Sequence, residues 1–217
     1  MYISRIKLDP FKRKTAEALF NREILHGAAE RTVGGERPHN MWRIEPDMSF
    51  LLLSNDIPYL GDMQEQFGDK NVKPSTKPYD GYVESIKNGD LLRFKIEVNP
   101  VICSRKYGGK NGKDIPLNLR RTEAYPFCAQ DWMIKKLEEN GAVVHSIQDV
   151  SHGTVYFKKN EKKNSLFTVT YTGLISVKDE NSIKEAMKKG IGGKKTYGCG
   201  MLTVIKKAVR HTGTDTF

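Results

Sequence analysis

The sequence predicts an α+β fold made of two successive β-α-β-β-α-β units. Three observations carry this. Apolar and polar residues alternate over residues 2–8 and again over 91–98, so each half opens on a strand. Each opening strand is followed, after a loop, by a stretch with apolar residues three and four apart, the period of a helix with one buried face. The strand-like and helix-like segments then run twice through the same order, which is the ferredoxin-like split βαβ arrangement.

In the first unit, residues 2–8 form the strand and Asp9-Pro10 ends it. Residues 12–32 read as one helix, with Ala16, Leu19, Phe20, Ile24 and Ala28 on its apolar side. Two short apolar runs, 41–45 and 49–54, flank Pro46-Asp47 and read as a hairpin. A short helix is expected over 60–67, a polar linker over 69–79 and a closing strand over 82–86. The turn Asn88-Gly89-Asp90 divides the chain into domains of residues 1–88 and 89–217. The second unit opens with strand 91–98 and a glycine-rich basic loop, 104–113. A helix over 122–140 ends at Gly141, a C′ stop. Strands 142–150, 154–158 and 166–177 enclose a basic hairpin tip at 158–163. Helix 179–189, a glycine-rich loop and strand 201–205 close the unit, and the tail from Ala208 is polar.

That last loop is the most informative stretch. Residues 190–200 hold five glycines and two lysines, Lys194 and Lys195. Glycine allows positive φ and close backbone approach, and free N–H groups beside lysines suit phosphate oxygens. The loop is no P-loop, because Lys194 is followed by Lys195 rather than Ser or Thr, and the order is helix, loop, strand. It is no dinucleotide fingerprint, because position 195 is not glycine.

Composition narrows the partner. Thirty-six basic residues stand against 26 acidic ones, a net charge of +10. With three basic runs on loops, RNA backbone is the expected partner. There is no apolar stretch long enough to span a membrane and no signal-peptide pattern at the start. Cys103, Cys128 and Cys199 are far apart with no C-x-x-C pair, which argues against a zinc knuckle or disulfide scaffold and fits a reducing cytoplasm.

These segments resemble the CasE family of CRISPR repeat-processing endoribonucleases, subunits of the bacterial Cascade complex. The resemblance is carried by residues 1–5, by Leu25-His26-Gly27, by residues 92–100, by Trp132 with Leu137, and by residues 190–192 and 197–202. It covers nearly the full chain. It implies two tandem ferredoxin-like (RRM-like) domains with basic hairpins and a C-terminal glycine-rich loop. It also implies metal-independent cleavage of a repeat RNA stem-loop, a 2′,3′-cyclic phosphate product that is retained, other Cascade subunits as partners, no cofactor and no direct contact with DNA.

Metal-free RNA cleavage uses the 2′-OH as nucleophile and needs a base, an acid and a cation. Five histidines are available, and the resemblance selects His26 as catalytic. His39, in a polar loop, is the reserve candidate. His145 is expected to be packed in a strand, His152 to lie in a turn and His211 in the tail. The family often has tyrosine three positions before the histidine, where this chain has Glu23. Glu23 either orients His26 and raises its pKa, or pairs with Arg22 or Arg31. Charge stabilisation falls to Arg22, Arg31, Lys158 or Lys159. Expected RNA contacts are Arg105, Lys106, Lys110, Lys113, Lys158, Lys159, Lys162, Lys163, Gly190, Gly192, Gly193, Lys194 and Lys195. Two rival readings remain: a non-catalytic RNA-binding subunit of a ribonucleoprotein complex, and a basic scaffold that binds proteins through its sheet edges.

Overall fold

The computed structural model describes residues 1–34, 40–103, 114–123, 126–159 and 162–207. The first unit comprises β1 (Tyr2–Lys7), α1 (Arg13–Phe20), α2 (Arg22–Arg31), β2 (Met41–Ile44), β3 (Ser49–Ser54), α3 (Gly61–Phe67), β4 (Ser75–Pro78) and α4 (Asp80–Glu84). The second comprises β5 (Leu91–Val98), β6 (Val101–Cys103), β7 (Asp114–Pro116), α5 (Ala129–Glu139), β8 (Ala142–Lys159), β9 (Lys162–Val177), α6 (Glu180–Lys189), a 3-10 turn (Lys195–Tyr197) and β10 (Thr203–Lys206). The strand orders are β2-β3-β1-β4 and β10-β5-β9-β8. Every pairing in the two sheets is antiparallel. In each, the unit's opening strand, β1 or β5, is an inner strand flanked by two others of the same unit. The repeated α+β pattern is therefore present in both halves.

Alternation in β1 decides which side each residue serves. Ser4, Ile6 and Leu8 are buried, and Ile6 and Leu8 pack with Ala18, Leu25 and Phe50 in the first core. Ile3, on the opposite side, packs with Met41, Leu51 and Leu53 against the core of the second unit. The two sheets thus face each other. Arg43 of β2 is buried in that interface and fully engaged. It donates to the carbonyls of Lys95 (3.1 Å) and Met201 (2.9 Å), to Thr203 Oγ1 (2.9 Å) and to Glu45. Lys95 pairs with the same Glu45. A buried guanidinium is tolerable only when its donors are satisfied this way.

Four elements differ from expectation. The helix expected over 12–32 breaks at Asn21, whose φ of −139° and ψ of 89° are not helical. Asn21 Oδ1 instead accepts the Lys158 N–H at 3.1 Å. The closing strand of the first unit is β4, inside the stretch read as linker, and residues 82–86 lie in and after α4. Tyr79, Val83 and Ile86 are all buried at helical spacing. β4 is polar because it is an edge strand held to β1 by backbone pairing and by the Ser4–Thr76 hydroxyl bond of 2.9 Å. The helix expected from 122 starts at Ala129, where Asp131 accepts the Cys128 N–H at 3.0 Å. Last, 142–150 and 154–158 are one strand, β8. Irregularities between Val144 and Ser146 and between Asp149 and Ser151 let it bend without ending.

Candidate functional site

His26 sits on α2 (Arg22–Arg31). Leu25, Ala28 and Ala29 take the buried side of that helix, which leaves His26 partly in solvent, with 19% of its side chain exposed. Its Nε2 lies 3.5 Å from Glu30 Oε1, one turn on. Its ring meets the ring of Tyr197 edge-on, with centroids 6.2 Å apart and planes at 60°. Tyr197 comes from the 3-10 turn of the glycine-rich loop. It also stacks on Phe157 of β8 at 4.0 Å, within a small buried cluster with Leu166 and Cys199. Three segments remote in sequence therefore meet around Tyr197, beside His26. Burial, and then the negative charge of Glu23, push the Tyr197 phenol up to about 12. At neutral pH it is a donor, not a base.

The neighbours of His26 divide into tied and free groups. Arg22 is tied. Its Nη1 donates to the Tyr197 carbonyl at 2.8 Å and pairs with the buried Glu97 at 2.9 Å, while its guanidinium carbon lies 5.8 Å from the centroid of Trp42. It holds α2 to the glycine-rich loop and to β5, so it is not a spare cation for a phosphate. Arg31 is exposed and has no ion-pair partner among the described residues. Glu23 pairs with neither arginine. Its Oε2 is buried with no hydrogen-bond partner.

The glycine-rich loop is shaped by packing. A Cβ on Gly190 (φ 72°) would lie 2.4 Å from Met41 Sδ, and one on Gly198 (φ 86°) would lie 2.7 Å from Trp42 Cζ3. Gly190 also donates its N–H to the Ala186 carbonyl at 2.8 Å, so that group is not free for a ligand. Gly192 lies against Trp132, and Gly193 faces open space. Lys194 is exposed at φ 60°, an unusual backbone state for a residue with a side chain. Lys195 is half-buried without a carboxylate partner among the described residues, and burial lowers its pKa.

The second basic feature is the β8–β9 hairpin. Lys158 stands opposite Lys163 and Lys159 opposite Lys162. Like charges directly across a ladder cost stability. Lys158, Lys162 and Lys163 are exposed. Arg105, Lys106, Lys110, Lys113, His39 and His211 lie outside the described residues, as does the side chain of Lys159. His145 is exposed rather than packed, with Nε2 2.9 Å from Ser176 Oγ, and His152 lies within β8 rather than in a turn. Sequence reasoning gave no site role to Tyr197, Phe157 or Glu30, although Tyr197 lies in a stretch that carries the resemblance. The available signal for Tyr197 was that it is the lone aromatic in the glycine-rich loop.

A doubled ferredoxin-like fold, with a part-exposed histidine where a lysine-tipped hairpin and a glycine-rich loop converge, defines a polyanion-handling protein. The chain belongs to the CRISPR associated protein family, which it matches over residues 1–206. It is 30% identical over 120 residues to the CRISPR system Cascade subunit CasE of Escherichia coli, a match spanning 54% of this chain and 58% of that protein. It is 25% identical over 229 residues to the CRISPR-associated endoribonuclease Cse3 of Thermus thermophilus, covering 94% of this chain and 99% of that one. In fold it is similar to Thermus thermophilus Cse3 bound to an RNA representing a pre-cleavage complex, with a TM-score of 0.76, 20% identity, and 94% and 98% of the two chains covered. Among the described residues no helix is long and apolar enough to cross a membrane.

Proposed function

We propose that this chain is a metal-independent endoribonuclease that cuts CRISPR precursor RNA at the repeat stem-loop and retains the product as a subunit of Cascade in the cytoplasm. The observation that carries the reading is the convergence at His26 of α2, the lysine hairpin and the glycine-rich loop. The family and the activities named for its relatives agree with it. In this reaction the 2′-oxygen attacks the adjacent phosphorus, the bond to the 5′-oxygen breaks, and a 2′,3′-cyclic phosphate remains. His26 is the general acid. Its side chain is reachable from solvent and gives its proton to the departing 5′-oxygen. Arg31, on the same helix, is the exposed cation nearest in sequence for the charge on the phosphorane. The unit of residues 1–88 carries the acid, and the unit of residues 89–217 supplies the gripping surfaces, Lys158, Lys162, Lys163, Lys194 and Lys195.

The test is single-turnover cleavage of the repeat hairpin in excess EDTA. The wild type is expected to cut. His26→Ala is expected to bind equally well and cut roughly 100- to 10,000-fold more slowly, the range of one general acid. Equal cutting by both would remove His26 from the mechanism. Binding without cleavage by the wild type would make the chain a non-catalytic RNA-binding subunit.

A further inference from the structure

Resting on the reading of His26 as the acid, we infer that Tyr59 is a stacking platform for an unpaired RNA base on the far side of the cut from the stem. Helix α2 lays the site out along one axis. Asn21, at its N-cap, holds the lysine hairpin through the Lys158 N–H. His26 comes five residues later, and Thr32, the C-cap, six residues after that. At about 1.5 Å per residue, roughly 9 Å of helix separates His26 from Thr32. That is the length of two or three nucleotides at about 3.4 Å each. The Thr32 carbonyl accepts the Tyr59 N–H at 2.7 Å, so Tyr59 stands at the end of α2 remote from the hairpin. A stem gripped at the hairpin and cut at His26 therefore sends its unpaired flank towards Tyr59.

Tyr59 is held out into solvent by its neighbours. Pro58 and Leu60 on either side are buried, while Tyr59 is 70% exposed. Its ring lies over Gly61, where a Cβ would be 2.5 Å from the phenol oxygen and 2.6 Å from Cζ. A ring positioned in advance has less freedom to lose when a ligand binds. It shares a small hollow with Arg31 and Thr32. Arg31 folds back along α2, its Nη1 3.3 Å from where a Cβ of Gly27 would stand, next to His26 in the chain. The route from the acid to the ring thus passes the exposed cation. Residues 54–62 contain Asp56 and Asp62 and no lysine or arginine. Phosphate is not favoured there, whereas every base has a π face that an aromatic ring accepts without charge. Phe20 and Tyr156 are exposed too, but both belong to the hairpin end: Phe20 precedes Asn21, and Tyr156 lies two residues before Lys158. In-line attack needs the 2′-oxygen, the phosphorus and the 5′-oxygen aligned, which a regularly stacked strand does not offer. Holding the base beyond the cut out of that stack favours the alignment.

The test is equilibrium binding of a repeat hairpin blocked by a 2′-deoxy nucleotide at the cut, with and without the nucleotides beyond the cut. Thermal midpoints check the folding of each variant. Tyr59→Ala is expected to bind the flanked RNA about 5- to 100-fold more weakly than the wild type, the range for one base stacked on an aromatic ring. Its slope of log affinity against log salt is expected to match the wild type, because no phosphate contact is lost. Both proteins are expected to bind the hairpin without its flank equally well. Tyr59→Phe is expected to keep wild-type affinity for the flanked RNA, because stacking uses the ring and not the hydroxyl. Equal binding of the flanked RNA by Tyr59→Ala and the wild type would overturn the inference, and would leave the exposed Ile57 and Tyr59 to a protein neighbour. An equal loss on the unflanked hairpin, or a Tyr59→Phe variant as weak as Tyr59→Ala, would overturn it as well. The reading of His26 is judged apart, by cleavage of the unblocked RNA. If the flank is bound through Tyr59 but His26→Ala cuts normally, the stacking platform stands and the acid does not.

Discussion

Arg22 and Glu23 are adjacent in sequence and differ in their partners: Arg22 is ion-paired, and Glu23 has no ion pair among the described residues. Arg22 is buried with Glu97, and both side chains are largely out of solvent, at 13% and 7% exposed. Removing one member of such a pair strands the other charge. Arg22→Ala is therefore expected to cost about 3–5 kcal/mol of folding stability, read as a lower urea midpoint. An unchanged midpoint would show that the pair does not hold the two units together. Gly198 shows the same crowding from the loop side: its positive φ and the Trp42 ring leave no room for a Cβ. Several residues near His26 thus serve to hold the segments together, and residue type alone does not mark them.

At the scale of the element, the β8–β9 hairpin extends past its sheet and is steadied where it leaves the core. The break at Asn21 divides α1 from α2 and gives the Lys158 N–H an acceptor, while Phe157 and Leu166 pack with Tyr197. Beyond that anchor the ladder sets Lys158 opposite Lys163 and Lys159 opposite Lys162. Replacing Lys158, Lys159, Lys162 and Lys163 by glutamine removes cross-strand repulsion and phosphate pairing together. The expected result is unchanged or slightly higher thermal stability with weaker RNA binding. The slope of log affinity against log salt should fall by about one unit for each phosphate that is no longer neutralised. An unchanged slope would show that the hairpin does not touch the RNA backbone.

For the whole molecule, carboxylates held ionised by paired cations and hydrogen bonds, one of them between the two sheets, set the acid limit of stability. Burial raises Glu45, but the charge of Arg43 and hydrogen bonds from Lys95 and Arg43 outweigh it and hold the carboxyl below its usual range. Hydrogen bonds from Lys184, the Asn88 N–H and Lys87 bring Glu180 down to about 2. A carboxylate whose pKa is lower folded than unfolded contributes stability that is complete above its unfolded value. That contribution is lost as pH falls through the folded value. Urea midpoints are therefore expected to hold level above about pH 5 and to fall steadily towards about pH 2. Arg43→Met should flatten the part of that fall due to Glu45, and a midpoint independent of pH below about 4 would contradict the account.

Much of this was legible in the sequence. Strand alternation and helical period pointed to the doubled βαββαβ order, because the buried side of an element has to be apolar wherever that element ends up. The basic loops could be seen as runs of charge, and Leu25-His26-Gly27 could be matched to a family. Other features depended on the tertiary structure. β4 is polar and pairs through its backbone, so no side-chain pattern marks it. The single helix over 12–32 became two because Asn21 has a partner 137 residues away. Arg22 was a candidate cation until Glu97, on the first strand of the other unit, was found to hold it. Tyr197 reaches His26 only because α6 ends in positive-φ glycines that turn the chain back towards α2. The sequence by itself determined which elements form and which residue types are present. Their pairing across the two units was decided by packing, since burial and neutralisation depend on residues that meet only after the sheets face each other.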